Sequence, residues 1–412
     1  MEIKTEELGV TAPKGFQAAA TAAGIKYTGR DDMAMIFSKE PCVVAGCFTK
    51  NVVKAAPVIW DRQIVESGEK VHAVVANSGI ANACTGSEGM DICSATASAA
   101  AECLGGIGAK QVLLGSTGVI GMQIPLEKIR LGVKTLAGSL DESREAANRA
   151  EKAIMTTDTR PKEVSCTIEI SGTKVTIGGM AKGSGMIHPN MCTMLAYITT
   201  DAAIDRALLQ KALSAVVEDS FNMISVDGDT STNDTVLVLA NGLAGNAPIT
   251  AEGRDYELFL AALKAVCEKL AKEMAADGEG ASKLVESVVT GADTKDNARI
   301  LAKSVVCSSL TKAAMYGCDA NWGRVLCALG YSGASFDPEK VSLYFEDGLT
   351  GDRMLIYENG KAADYSEDDA TKILKSTHVK VISDMHMGSE EARAFGCDLT
   401  HKYVDINADY RS

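Results

Sequence analysis

The chain has 412 residues, enough for two or three domains around a large core, and its 46% hydrophobic and 23% charged residues exclude a disordered polypeptide. A formal net charge of −13 argues against nucleic acid and anionic membrane surfaces, which need a basic footprint, and is compatible with a small zwitterionic or cationic substrate. The twelve cysteines are scattered, without a C-x-x-C pair and mostly in apolar surroundings; this fits neither zinc nor a disulfide framework and points to a reducing cytosol.

The opening stretch MEIKTEELGV lacks a basic start and an apolar run, so no signal peptide is expected, and no apolar run approaches a membrane span. VHAVVANSG (71–79) and QVLLGSTG (111–118) read as buried strands ending in small-residue loops, with the helix SEGMDICSATASAAAECLG (87–105) between them. Two further helices, 126–140 and 141–158, lead to VSCTIEISGTKVTIGGMAKGSG, whose period-two alternation around Ser171-Gly172-Thr173 predicts a hairpin. The strand TMLAYITTDAAI (193–204), the helix 205–220 and the strand DTVLVLANG (234–242) follow. An amphipathic helix over 255–277 then stops at the glycines of DGEGASK. Beyond about Leu284, strands at 284–291, 340–348 and 378–385 mix with helices near Ala298–Met315, Trp322–Leu329 and Asp368–Lys375. The pattern is an α/β chain with two lobes, the second starting at residue 284.

Thr193 opens a strand directly after the loop GSGMIHPNMC. β-Branched residues suit strands, so the plain reading is structural. The loop offers a second reading, in which the Thr193 hydroxyl attacks the carbonyl of Cys192 and the resulting ester is hydrolysed. The new α-amine, with an ordinary pKa of about 7.7–8, then serves as base for its own hydroxyl. None of the five histidines lies in a G-x-S-x-G elbow or an H-E-x-x-H helix, and His188 reads as a relay or an ordinary loop residue. GSTGVIG (115–121) follows a strand and either makes a turn or offers Thr117 and Gly118 to an oxyanion. Lys182 is a surface charge or a holder of a substrate carboxylate. Glu279, near a helix C-terminus, is a polar loop residue or awaits an ammonium ligand. DGDTSTND (227–234) lacks the sixth-position glycine and twelfth-position acid of a calcium loop, having Thr232 and Val238 there, so no metal is expected.

GVTAPKGFQAAA, FTKNVVKAAPV, NSGIANACTG, GSTGVIG, IMTTDTRPK, AKGSGMIHPNMCTML, DGDTSTNDT, DGEGASK, CDANWGRVLCALGYSG and YVDINADYRS occur in that order. Together they resemble the ornithine acetyltransferases, self-cleaving glutamate N-acetyltransferases of the acetylated arginine pathway, over nearly the whole chain. The resemblance implies a four-layer αββα sandwich of the self-processing aminopeptidase–esterase type with a smaller α/β lobe. Its division would be a catalytic domain over 1–283, the lobe over 284–395 and a tail over 396–412 that returns to the active site. It implies cleavage between Cys192 and Thr193 into chains 1–192 and 193–412, Thr193 as nucleophile, and Thr117 and Gly118 as the oxyanion hole. Substrate contacts fall on Thr156, Lys182, Thr193, Glu279, Asn407 and Ser412. The implied reaction is ping-pong transfer of acetyl from N2-acetylornithine to glutamate without cofactor or metal, acetyl-CoA being a second donor only in bifunctional members. A cytoplasmic assembly of two N-terminal and two C-terminal chains is expected. Two departures stand out: Cys192 replaces the common alanine, and Ser412 the common threonine. An N-terminal-threonine amidase or peptidase and a non-catalytic α/β scaffold remain the alternatives.

Overall fold

The computed structural model describes residues 3–188 and 194–409. Strands β1 (Thr5–Glu6), β2 (Phe16–Thr21) and the long β3 (Met33–Phe48) precede helix α1 (Ala56–Ser67). Then come β4 (Val71–Asn77), α2 (Gly86–Cys103), β5 (Val112–Ser116), α3 (Leu126–Ala137) and α4 (Arg144–Ile154). The middle of the chain forms β6 (Glu163–Ile170), β7 (Thr173–Lys182), β8 (Leu195–Thr200), α5 (Arg206–Asp219), β9 (Ile224–Ser225), β10 (Thr235–Ala240) and α6 (Arg254–Ala276). The remainder begins with β11 (Leu284–Ala292), α7 (Lys295–Cys307), α8 (Ser309–Gly317), α9 (Trp322–Gly330), β12 (Ser342–Asp347) and β13 (Arg353–Glu358). It ends with β14 (Lys361–Ala362), α10 (Glu367–Leu374), β15 (His378–Asp384), β16 (Glu390–Cys397) and α11 (His401–Ala408).

The described residues fall into two compact units, one of 3–183, 194–218 and 230–270, the other of 184–188, 219–229 and 271–409. The expected division into 1–283, 284–395 and 396–412 followed chain order, whereas these units are each built from separate segments. The reason is pairing between distant segments: Val226 donates its N–H to the Ile187 carbonyl, Met186 and Ile187 donate theirs to the Asp227 carboxylate, and β9 pairs in parallel with β16.

The first unit is a sandwich of two sheets joined by one strand. β3 spends Met33–Phe37 between β2 and β4, then Val43–Phe48 beside β10. Pro41, which has no N–H to give a ladder, stands at the change of partner. One sheet runs β1-β6-β7-β8-β10-β3, and the other carries β2, β3, β4 and β5. Period-two alternation sends Met180, Leu195, Tyr197, Leu237 and Leu239 into the same core as the residues of β4 and β5. There the Tyr197 ring reaches Gly115, where a Cβ would meet its hydroxyl at 1.8 Å, so only glycine fits. The opposite face of the first sheet packs on α6, with Gly179 against Val266 and Leu270, while Gln210 of α5 brackets the Gly46 backbone. α1 and α2 pack on β5, and α3 and α4 on β2 and β3. The order helices, sheet, sheet, helices is the expected αββα sandwich.

The second unit has a seven-stranded sheet in the order β14-β13-β12-β15-β11-β16-β9 among the described residues. α7 covers β11 and β16, and α10 covers β12. The helix expected over 298–315 is two helices. Ser308 is extended at the break, and its hydroxyl accepts the Thr311 N–H as the cap of α8, a bond that competes with helix continuation.

Candidate active site

Lys182 ends β7 two residues after Met180, so its side chain shares that residue's face and points between the two sheets. Its partner in register is Leu195, the first residue of β8. Lys182 is buried, 7% exposed as a residue, and its ammonium stands 2.9 Å from Thr156 Oγ1, 3.3 Å from Thr117 Oγ1 and 3.7 Å from the Asp158 carboxylate. Three residues singled out from sequence, Thr117, Thr156 and Lys182, therefore meet at one point of the first unit.

Thr117 and Gly118 follow β5 in a turn fixed by its surroundings. The Thr117 N–H donates to the Asn77 carbonyl, so its hydroxyl, not its amide, is the donor it can offer. Gly118 has φ +128°, and a Cβ there would lie 2.3 Å from the Gly79 carbonyl carbon. Its N–H has no partner among the described residues, whereas the neighbouring Val119 N–H is taken by the Gly79 carbonyl. Asn233 braces the same turn by donating to the carbonyls of Ala81 and Ser116. The loop 227–234 thus has two jobs, Asn233 serving the first unit and Asp227 capping Met186 and Ile187 in the second.

The residues behind Lys182 were not foreseen. Asp158 is fully buried and accepts from Lys162 Nζ at 2.8 Å, Gly183 N–H at 2.7 Å and Thr156 N–H at 3.1 Å. Burial works to raise its carboxyl, but the ammoniums of Lys182 and Lys162 outweigh it and hold the group well below the usual carboxylate range. Glu151 behaves oppositely. Among the described residues it accepts only the Lys162 N–H, on one oxygen, and burial pushes it up to about 8. The i,i+4 pair of Asp158 and Lys162 in DTRPK was the one visible signal, and outside a helix that spacing proves nothing.

In the second unit, Glu279 is 94% buried with its carboxylate lying on Gly185, where a Cβ would meet it at 2.2 Å. The Glu279 N–H donates to the Ser184 carbonyl, and Asn407 of α11 donates to Oε2 at 2.7 Å. No cation pairs with Glu279 among the described residues. The structure thus brings together Glu279 and Asn407, separated by 128 positions. Tyr403, on the same helix, has its phenol raised by burial and by the carboxylates of Asp227 and Glu279. His188 contacts Ser225 Oγ at 3.1 Å and Cys307 Sγ at 3.5 Å, and burial pulls it down to about 4, leaving a neutral ring. Cys192, Thr193 and Ser412 lie outside the described residues. Among the described residues no cluster of histidine, cysteine, aspartate and glutamate could hold a metal ion, and no helix is long and apolar enough to cross a membrane.

Residues 17–412 match the ArgJ family. The chain belongs to that family. It is 52% identical over 406 residues to the arginine biosynthesis bifunctional protein ArgJ of Symbiobacterium thermophilum, with 98% of each chain covered. It is 50% identical over 401 residues to the protein of the same name from Thermotoga neapolitana, covering 97% of this chain and 99% of that one. A solved structure of an ornithine acetyltransferase complexed with ornithine, from Mycobacterium tuberculosis, is 42% identical over 47% of this chain and 100% of its own, with a TM-score of 0.43. Family membership thus agrees with the resemblance read from the ordered motifs.

Proposed function

We propose that this chain is a self-cleaving acetyltransferase of arginine biosynthesis that moves acetyl from N2-acetylornithine to glutamate. The observation that carries the reading is full-length membership of the ArgJ family combined with the convergence of Thr117, Thr156 and Lys182 at the end of β7.

Thr193 is the nucleophile in this reading. Its hydroxyl adds to the Cys192 carbonyl, the Cys192–Thr193 C–N bond breaks as the nitrogen takes a proton, and water hydrolyses the ester. The freed α-amine then removes the hydroxyl proton as Oγ1 attacks the acetyl carbonyl of N2-acetylornithine. The oxyanion receives hydrogen bonds from the Thr117 hydroxyl and the Gly118 N–H, the two donors whose geometry leaves them available. The C–N bond breaks, the ornithine amine takes the proton back from the Thr193 ammonium, and an acetyl ester remains. The glutamate amine attacks that ester, its proton passes to the Thr193 amine and on to the departing Oγ1, and N-acetylglutamate leaves. One amide replaces another, so the exchange runs near equilibrium without ATP, cofactor or metal.

A buried carboxylate without a cation among the described residues suits an ammonium, which supports Glu279, with Asn407, as a contact for a substrate amine. Thr156, Lys182 and Ser412 complete the proposed substrate contacts. Acetyl-CoA as a second donor, a cytoplasmic location and an assembly of two N-terminal and two C-terminal chains belong to the same reading; the free cysteines among the described residues support a reducing compartment.

The test is mass-spectrometric assay of the purified protein with N2-acetylornithine and glutamate, together with N-terminal sequencing. Stoichiometric ornithine and N-acetylglutamate, and a second terminus reading TMLAYITT, are expected. Free acetate in place of N-acetylglutamate would make the protein an amidase, and an intact, inactive chain would overturn the proposal.

A further inference from the structure

We infer that Asp158 is a positioning residue for the oxyanion hole, anchoring Lys182 so that the ammonium donates to Thr117 Oγ1 and leaves the hydroxyl proton of Thr117 for the reacting carbonyl. This rests on the reading of Thr117 given above and extends it to residues that do not touch substrate.

The argument starts from donor counting. An ammonium has three protons and no acceptor, so where Lys182 meets Thr117 and Thr156 it must donate and both hydroxyls must accept. A threonine hydroxyl has one proton and rotates freely. Accepting from Lys182 turns the Thr117 proton away from the ammonium and polarises the O–H as a donor. Thr117 cannot contribute its amide, which is bound to the Asn77 carbonyl. The orientation of one proton therefore decides whether the hole has two donors or one.

Lys182 can hold that orientation only if it stays charged and still. A buried ammonium without a counter-ion is unfavourable. Asp158 is the only carboxylate paired with it among the described residues. Three donors on other groups fix that carboxylate: Lys162 Nζ, Gly183 N–H and Thr156 N–H. Gly183 directly follows Lys182, so the same carboxylate also sets the backbone that carries the ammonium. The 3.7 Å separation is an ion pair rather than a hydrogen bond, so it fixes the charge without taking a proton from the two threonines. Two ammoniums and one carboxylate leave this cluster with one net positive charge while Glu151 keeps its proton, and a positive field favours an oxyanion beside Thr117.

The experiment measures pH profiles of kcat for acetyl transfer in a Glu151→Gln background, which removes the raised carboxyl that borders this cluster. Besides Thr117 and Thr156, the charged and titratable groups facing the pair among the described residues are Lys162, Glu151 and the Tyr27 phenol. Asp158→Asn keeps the shape and deletes the charge. It should lower kcat tenfold or more, leave KM for glutamate within about twofold, and move the basic limb to lower pH, because the charge that balanced the ammonium is gone. Lys162→Met leaves Asp158 to Lys182 alone and should move the basic limb the other way. A merely structural role would lower the melting temperature of both variants and shift neither limb. Superimposable profiles for Asp158→Asn and its parent would overturn the inference. Lys162→Met carries the test if Asp158→Asn does not fold, and an unmoved or lowered limb there would overturn it equally. Thr117→Ala separates the two levels. If it leaves kcat intact, the oxyanion reading fails; if it lowers kcat while Asp158→Asn does not, only the positioning role fails.

Discussion

A methyl group at Gly118 would press into the Gly79 carbonyl, and φ of +128° is a conformation that a side chain makes costly. The N–H that this backbone presents is the donor least replaceable by neighbouring chemistry. Gly118→Ala should therefore lower kcat by roughly 10²–10³-fold, the range for losing one oxyanion donor, read from initial rates of ornithine release with circular dichroism confirming the fold. Thr117→Ser, which keeps the hydroxyl, should stay within tenfold of wild type. Wild-type turnover in Gly118→Ala would remove that amide from the mechanism. Glu151 makes a prediction about stability instead. Its folded pKa of about 8 lies above the unfolded value of about 4.3. Between those limits the folded state holds a proton that the unfolded chain has released, so stability falls as pH rises through this window. Glu151→Gln cannot titrate and still offers an oxygen to the Lys162 N–H. Its melting temperature relative to wild type should therefore climb by several degrees from pH 5 to pH 8 and level off above. A gap constant across that range would show Glu151 to be ionised in the fold.

At the scale of elements, local patterns carried well where one segment decides its own structure. The hairpin around Ser171-Gly172 is such a case: both residues have positive φ, +48° and +82°, as a two-residue turn of primed type requires. The helix α4 is another, because the Ser143 hydroxyl accepts the Ala146 N–H at its start. Ser143→Ala should cost about 1 kcal/mol, seen as a lower denaturation midpoint with the transfer rate unchanged; no loss of stability would mean that tertiary packing alone sets where α4 begins. The same reading missed what depends on distant partners. In β3 the polar stretch Ser38-Lys39-Glu40-Pro41 interrupts two apolar halves, but it does not say that they pair in different sheets. The break at Ser308 is a choice by one hydroxyl between two backbone partners. Among the candidate residues of the first unit, Thr117 and Lys182 were legible through glycine-flanked motifs and Thr156 through the family resemblance; in the second unit, Glu279 was legible through such a motif and Asn407 through the resemblance. Asp158, Lys162 and Glu151 were not, since their chemistry arises from burial and from mutual distances that a sequence does not state.

For the whole molecule, the decisive feature is where the proposed cut falls relative to strand order. In the first sheet, β8 and β10 belong to residues 193–412 and lie between β7 and β3, which belong to residues 1–192. Six register pairs join β7 to β8, from Ile177↔Thr200 to Lys182↔Leu195, and six more join β10 to β3. Tyr197, Leu237 and Leu239 of the later segment share one core with Val74, Leu113 and Met180 of the earlier one. Cutting the backbone at Cys192–Thr193 removes one covalent bond and none of this burial, which is the dominant favourable term in folding. The two chains should thus remain a single folded body after processing. With an affinity tag on the N-terminal segment, the C-terminal chain is expected to be retained in native buffer and released only in denaturant, with two denatured masses that sum to the 43.2 kDa polypeptide plus the tag and one water. Thr193→Ala should give one uncut chain with the same thermal transition to within a few degrees. Dissociation of the wild-type fragments in plain buffer would mean that the bond between residues 192 and 193, rather than the interleaved strands, holds the sandwich together.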